Sequence, residues 1–467
     1  MSNTANYTPE TWESDIHAAK AAHIDAFALN TGYGMTFTNT SLPDAFAVAS
    51  ALDFKLFFSF DYTATTYGAY GEGHWSPSNI TALLDEYIVH PAYFRTPYKG
   101  SHRPLVSTFE GFEAAPDWAG IKKNVSEEVV FVPDWASVGP VRASNVSAMD
   151  GLMSWNAWPD GTNSMNTSDD EAYRVILDSR GTDKLYMMPV APWLYTNLPQ
   201  FSKNWVWRGD DLWYVRWQQV LSLEPPPDFV EIVSWNDFGE SHYVGPLHAD
   251  EVGTEILADA GAPFDYVNGM PHDGWRVLLP YLIELYKAGS EEEREDVGIE
   301  EELLSVWYRL SPAWACEDGN TTGNTEQHGQ TILKPVEVLE DKVFYSALLE
   351  ERANVSVVIG GEAGEAAAWT DTPDGSRGVY HGSVDMGGRE GEVVVMLSRN
   401  GEIFNEMRGK GIELQMNCQL NYTNWNAWVG VGNATARPLE SLGSRPILGG
   451  LPLSLTALIV VGLFIWA

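Results

Sequence analysis

Asp237 and Glu240 stand three residues apart in the stretch EIVSWNDFGESHYVGP, Glu231 to Pro246, directly behind an apolar run. Two carboxyl groups held close together titrate apart, because the charge on one makes ionising the other costly. One then stays protonated while its partner carries charge, which is the equipment for giving a proton to a leaving atom and taking one from water. Residues three apart on a helical turn share a face, so both side chains reach one cavity. The Asp-x-x-Glu spacing is also common on solvated helix surfaces. Its place after a buried strand, among Trp235, Asn236, His242 and Tyr243, is what sets it apart.

A pair of this kind needs a scaffold that brings other strand ends to the same mouth. Short β-rich runs recur along the chain: IDAFALN (24–30), KLFFSFD (55–61), PLVSTFEG (104–111), EVVFVPDW (128–135), DGLMSWN (150–156), KLYMMPVAPW (184–193) and FVEIVSWND (229–237). Between many of them lie stretches such as PETWESDIHAAKAAH and PDAFAVASALD, with apolar residues at helical spacing and Pro near the start. Strands alternating with helices predict a parallel sheet, and a closed (β/α)8 barrel wants eight strands. Chemistry in such barrels sits at the C-terminal strand ends, where Asn30, Asp61, Glu110, Asp134, Trp155, Trp193, Asn236 and Asp237 fall. Seven runs are found, and MSNTANYTPETWESDI carries neither a basic nor an apolar leader. The expectation is a start that lacks one strand and a signal peptide.

After GWRVLLPYLIELYKAG (274–289) comes the acidic run SEEEREDVGIEEE, read as a solvated helix or linker. The texture then changes to short alternating runs, KVFYSALL, NVSVVIGG, EVVVMLS and IELQMN, the pattern of an antiparallel β-sandwich. The expected organisation is a catalytic barrel over 1–310, a β-sandwich accessory domain over 311–436 and a C-terminal signal or membrane tail over 437–467.

The net charge of −36 over 467 residues excludes a phosphate-binding surface, so nucleic acid is not an expected partner. The 19 tryptophans supply flat faces that suit sugar rings as well as cores. Ten N-x-Ser/Thr sequons, at Asn6, Asn39, Asn79, Asn124, Asn145, Asn166, Asn320, Asn354, Asn421 and Asn433, fit passage through the secretory pathway. The two cysteines, Cys316 and Cys418, read as one disulfide in the C-terminal unit. The terminal ILGGLPLSLTALIVVGLFIWA follows small residues Ser441 and Gly443 and has no basic residue after it, which favours a GPI attachment signal over a spanning helix. An extracellular or cell-wall protein, monomeric and held at the membrane by a C-terminal lipid anchor, is the expectation.

The blocks YTPETWESDIHAAKAAHIDAFALN, FKLFFSFD, STFEG, DGLMSWNAWP, YMMPVAPWLYTNLPQFSKNWVWRGDDLWYVRWQQV and FVEIVSWNDFGESHYVGPL resemble fungal α-1,3-glucanases, or mutanases, of glycoside hydrolase family 71. The resemblance covers about residues 3–310 and implies a (β/α) barrel with an appended β-sandwich, endo-type cleavage of α-1,3-glucan and inversion at the anomeric carbon. Glycoside hydrolysis gives the pair its roles: one carboxylic acid protonates the leaving oxygen and a second carboxylate activates water. Glu240 is assigned as acid and Asp237 as base, an order that the spacing leaves exchangeable, with Asp61 as a third carboxylate supporting charge or orienting water. Asn30, Glu110, Trp155, Trp158, Trp193, Tyr195, Lys203, Asn204, Trp205, Arg216, Trp235, Asn236, His242 and Tyr243 are the candidate sugar contacts. No cofactor or metal is expected. Two other readings stay open: a catalytically inactive glucan-binding wall protein, and a hydrolase of a different α-glucan.

Overall fold

The computed structural model describes every residue except 36–37, 64–73, 182, 249–256, 316–319, 326–328, 364–366, 415–421 and 439–467. Cys316, Cys418 and the apolar tail therefore lie outside the described residues, as does the second half of the run IELQMN. No helix among the described residues is long and apolar enough to cross a membrane.

Seven strands run parallel: β1 (Ala26–Gly32), β2 (Lys55–Asp61), β4 (Ser101–Phe109), β5 (Val130–Phe131), β6 (Gly151–Met153), β7 (Leu185–Val190) and β10 (Phe229–Ile232). Each falls on one of the apolar runs. Asp134 bridges Phe109 on one side and Met153 on the other, which joins the β1-β2-β4-β5 and β6-β7-β10 groups into one arc. β3 (Arg95–Tyr98) lies antiparallel beside β4. Helices return the chain between strands, and their starts are written locally. Thr8 caps Pro9–Ala21 by accepting from the Thr11 amide, and Ser76 caps Pro77–Tyr87 by accepting from the Asn79 amide. The mixed α/β architecture with a parallel sheet is as expected.

Two interruptions of this pattern shape the site. Between β7 and β10 the chain forms a hairpin, β8 (Tyr195–Leu198) and β9 (Lys203–Val206). Its outer edge pairs in parallel with β12 (Thr322–Gly323), which follows β11 (Leu303–Arg309) much later in the chain. The acidic run supplies only a short exposed helix, Glu291–Asp296, capped by Ser290.

Two antiparallel sheets complete the chain. One joins β11 with β13 (Lys342–Leu349), β16 (Gly378–Asp385) and β19 (Ala427–Val431). The other joins β14 (Asn354–Ile359), β15 (Glu362–Ala363), β17 (Gly391–Arg399), β18 (Glu402–Ile412) and β20 (Asn433–Pro438). Alternate residues of both sheets, among them Leu304, Val306, Tyr345, Val357, Val395 and Met407, share one apolar cluster. The opposite face of the first sheet, through Trp307, Phe344 and Leu348, joins the large core that runs through the parallel unit.

Candidate active site

β10 ends at Ile232 and the chain then folds back on itself. The Ser234 amide donates to the His242 carbonyl (2.9 Å), the Val244 amide to Ser234 (2.9 Å) and the Gly245 amide to Trp235 (2.7 Å). Gly245 is required there, because a Cβ would lie 2.6 Å from the Trp235 carbonyl oxygen. The tip is one tight turn in which Asp237 Oδ1 accepts from the Glu240 amide (2.9 Å) and Ser241 takes φ 59°. A single turn, not a longer helix, is thus what puts Asp237 and Glu240 side by side.

Three groups surround the pair. His242 Nε2 lies 3.0 Å from Glu240 Oε2 and 3.8 Å from Asp237 Oδ2. The ring's Nδ1 sits 3.0 Å from Ser234 Oγ, which also accepts from the Asp237 amide at 2.9 Å. The tautomer protonated at Nε2 satisfies every contact: Ser234 Oγ–H donates to Nδ1, and Nε2–H donates to Glu240. Lys203, from β9, forms an ion pair with Glu240 Oε1. One oxygen of each carboxylate and a His242 nitrogen all lie within 4.8 Å of one another. These are metal-ligand atom types, yet Lys203 already balances Glu240 and both His242 nitrogens are engaged, so the cluster is built to place charge and protons.

Burial pushes both carboxyls upward, but the outcome differs. For Glu240 the Lys203 charge and the His242 hydrogen bond outweigh burial and hold the group well below the usual carboxylate range. For Asp237 burial wins, helped by the charge on Glu240 and opposed by His242 and Lys203, so this carboxyl is raised. Its side chain is also the more open of the two, 39% exposed against 18% for Glu240.

The pair lines a cavity of about 2650 Å³ that Asn30, Asp61, Glu110, Trp155, Trp158, Lys203, Trp205, Trp235, Asn236 and His242 also line. Asp61, the last residue of β2, is oriented by Thr63, whose amide and hydroxyl donate to Oδ1 at 2.8 and 2.9 Å. Glu110 accepts from the Ser137 amide at 2.9 Å. Trp158 lies 5.5 Å from the His242 ring and 6.4 Å from Trp155, forming an aromatic wall beside the pair.

Other expected contacts face elsewhere. Trp193 is buried and donates to the Trp425 carbonyl (3.0 Å), because the strand stops at Val190 and the chain turns before it. The Tyr195 hydroxyl donates to Thr423 (3.3 Å), and Tyr243 stacks on His272 at 3.8 Å. Asn204 points from the opposite face of β9 and accepts from Thr321 (2.7 Å). Arg216 is fully buried in a two-pronged ion pair with Asp170, at 2.6 and 2.7 Å. Among the cavity-lining residues that were not foreseen are Trp207, Glu231 and Gln330. Strand alternation from Lys203 and Trp205 points to Trp207, whereas nothing local marks Gln330.

The glycosyl hydrolase family 71 profile matches residues 1–441. The chain belongs to glycosyl hydrolase family 71. A mutanase of Penicillium rubens is 32% identical over 91% of this family 71 chain and 85% of its own length. The glucan endo-1,3-α-glucosidase agn1 of Schizosaccharomyces pombe is 32% identical over 92% of each chain. Among solved structures, the GH99 endo-α-mannosidase of Bacteroides thetaiotaomicron aligns with a TM-score of 0.44 at 16% identity, over 62% of this chain and 86% of that one.

Proposed function

We propose that this family 71 enzyme cleaves internal α-1,3-glucosidic bonds of a glucan with Asp237 as general acid. The observation that carries the assignment is the pair of opposite shifts on adjacent carboxyls, the raised one being the more open to the cavity. A raised carboxyl holds the proton that the leaving oxygen needs, and the ionised Glu240 beside it stabilises positive charge developing on the sugar. This exchanges the roles first assigned to Asp237 and Glu240. The names of the two relatives, a mutanase and a glucan endo-1,3-α-glucosidase, support the substrate.

Inversion requires an acid and a base about 6.5–9.5 Å apart, with water between base and sugar. Asp237 and Glu240, with oxygens within 4.8 Å, are too close for that division of labour. Asp61, on β2 at the same mouth, is the base that activates water in the inverting reading. The short separation also favours a second reading, since retaining enzymes place their carboxyls about 5–5.5 Å apart and use one as nucleophile. The anomeric configuration of the first product, read by proton NMR, decides between them: a β reducing end supports inversion, an α reducing end supports Glu240 as nucleophile.

Removing the acid tests the assignment itself. Asp237→Asn lowers turnover on α-1,3-glucan by about a hundredfold or more. It recovers on an aryl glycoside whose leaving group departs without protonation. Failure to recover, with Glu240→Gln recovering instead, returns the acid role to Glu240. Binding without release of reducing ends by the wild-type protein supports the inactive wall protein, and cleavage of another α-glucan in preference supports the third reading.

The finer architecture belongs to the same proposal: the parallel arc as part of a (β/α)8 barrel, the two antiparallel sheets as a β-sandwich, and a monomer working outside the cell. Eight of the sequon asparagines are exposed and Asn79 is half-buried, which supports a glycosylated, secreted protein. Release from membranes by a GPI-cleaving phospholipase tests the lipid anchor, and retention with the tail intact points to a spanning segment.

A further inference from the structure

The cavity is not closed by the parallel unit alone. β9 turns its alternate residues Lys203 and Trp205 toward it, Trp207 just past the strand end lines it as well, and the outer edge of β9 pairs with β12, Thr322 opposite Trp205. The chain leaves β12 and comes back to it: the Gly323 amide donates to the Leu333 carbonyl (2.8 Å) and the Leu333 amide to Gly323 (2.9 Å). Asn324 ties the same loop by donating from Nδ2 to the Thr331 carbonyl (3.2 Å). Gln330, three residues before the returning bridge, lines the cavity together with Asp237 and Glu240.

Gln330 Oε1 is buried and has no hydrogen-bond partner among the described residues, and the same holds for Trp205 Nε1 on the facing strand. A buried acceptor and a buried donor left unmade are costly, and each is offset when a ligand supplies the missing partner. A sugar ring supplies both kinds of partner, since each of its hydroxyls donates one hydrogen bond and accepts others.

We infer that Gln330, together with Trp205, forms a glucose-binding subsite that the chain beyond the parallel sheet adds to the catalytic cleft. Gln330 Oε1 accepts from a ring hydroxyl and Trp205 Nε1 donates to one. The inference rests on the glucan reading above for the identity of the ligand, and on the cavity geometry for its place.

Calorimetric titration of the full chain with α-1,3-, α-1,4- and α-1,6-linked gluco-oligosaccharides tests it. Gln330→Leu, which keeps the bulk and removes the acceptor, weakens binding by about tenfold with melting temperature unchanged. Gln330→Glu keeps an acceptor oxygen and stays closer to wild type than the leucine variant. Trp205→Phe, which keeps a ring and removes the donor, also weakens binding. Unchanged affinity in Gln330→Leu overturns the subsite, as does a loss of affinity in the Leu and Glu variants alike that follows a loss of melting temperature. If the wild-type protein binds another linkage instead, the substrate reading fails while the same variants still decide the subsite. A wild-type protein that binds no member of the set overturns both.

Discussion

Lys203 is the residue on which the electrostatics of the pair turns. Its ammonium is the largest influence opposing burial at Glu240, and it also lowers Asp237. Without it, burial acts on both carboxyls with only His242, and at Asp237 the Glu240 amide, to counter it, so both hold their protons to higher pH. Lys203→Met therefore moves the whole bell-shaped profile of kcat/KM upward in pH and cuts activity on the acid side by about tenfold or more. Lys203→Arg, which keeps the charge, leaves the limbs nearer their original positions. A profile that does not move in Lys203→Met shows that the ion pair is not what sets Glu240's charge. Such a role is only partly visible in the sequence. Lys203 stands in an aromatic-rich stretch that marks it as a candidate, but its partner Glu240 is 37 residues away, and no local spacing joins them.

At the scale of elements, the parallel strands were legible because each is an apolar run bounded by a polar end, and burial on both faces enforces that pattern. The carboxylates at the ends of β2 and β10 were legible for the same reason. The wall of the cleft was not. β9 and β12 are two short strands whose pairing joins Trp205 to Thr322, 117 residues apart, and a parallel pair at that distance leaves no mark in either stretch. β10 holds a second surprise, since an apolar strand carries Glu231 into the cavity wall. Its Oε2 is buried without a partner, and burial raises the carboxyl to about 7 from an ordinary 4.5. A folded-state value above the unfolded one means that the folded protein holds the proton more tightly. Stability is therefore full below about 4.5 and is lost as pH rises through about 7, with about 1.4 kcal/mol riding on each pH unit of that window. Asp134, buried beside the same strand ends and raised by burial and by Glu110 and Glu231, adds a contribution of the same sign. Glu231→Gln removes one of the two, so its melting temperature exceeds that of wild type at pH 8 and the difference vanishes near pH 4. Parallel curves for the two proteins from pH 4 to 8 would show that Glu231 ionises freely in the fold.

Across the whole molecule the parallel unit and the C-terminal sheets share one apolar core and meet at a buried polar junction. The large apolar cluster takes in Trp307, Phe344, Trp425 and Val429 from the C-terminal sheets together with the strands of the parallel unit. Asn426, fully buried, ties the two together: Nδ2 donates to the Tyr266 carbonyl (3.0 Å) and the Tyr243 hydroxyl (3.2 Å), while Oδ1 lies 3.0 Å from His272 Nε2. Burial keeps His272 neutral, with its value lowered to about 4, and the ring stacks on Tyr243, the neighbour of His242. Tyr266 passes the connection on, since its hydroxyl donates to the Gly239 carbonyl (2.7 Å) inside the turn that holds Asp237 and Glu240. Asn426→Ala takes one partner each from a buried hydroxyl, a buried carbonyl and a buried imidazole, which keep Met270, Asn424 and Ala427 as their other partners, so we expect a stability loss of about 1–3 kcal/mol in urea unfolding. Because the turn at Gly239 is held from the same junction, kcat falls more than KM rises, and calorimetry of both proteins shows a single transition. Two separate transitions in the wild-type protein, or a less stable Asn426→Ala with wild-type kcat, would mean that the C-terminal sheets are carried along by the catalytic unit without supporting its geometry.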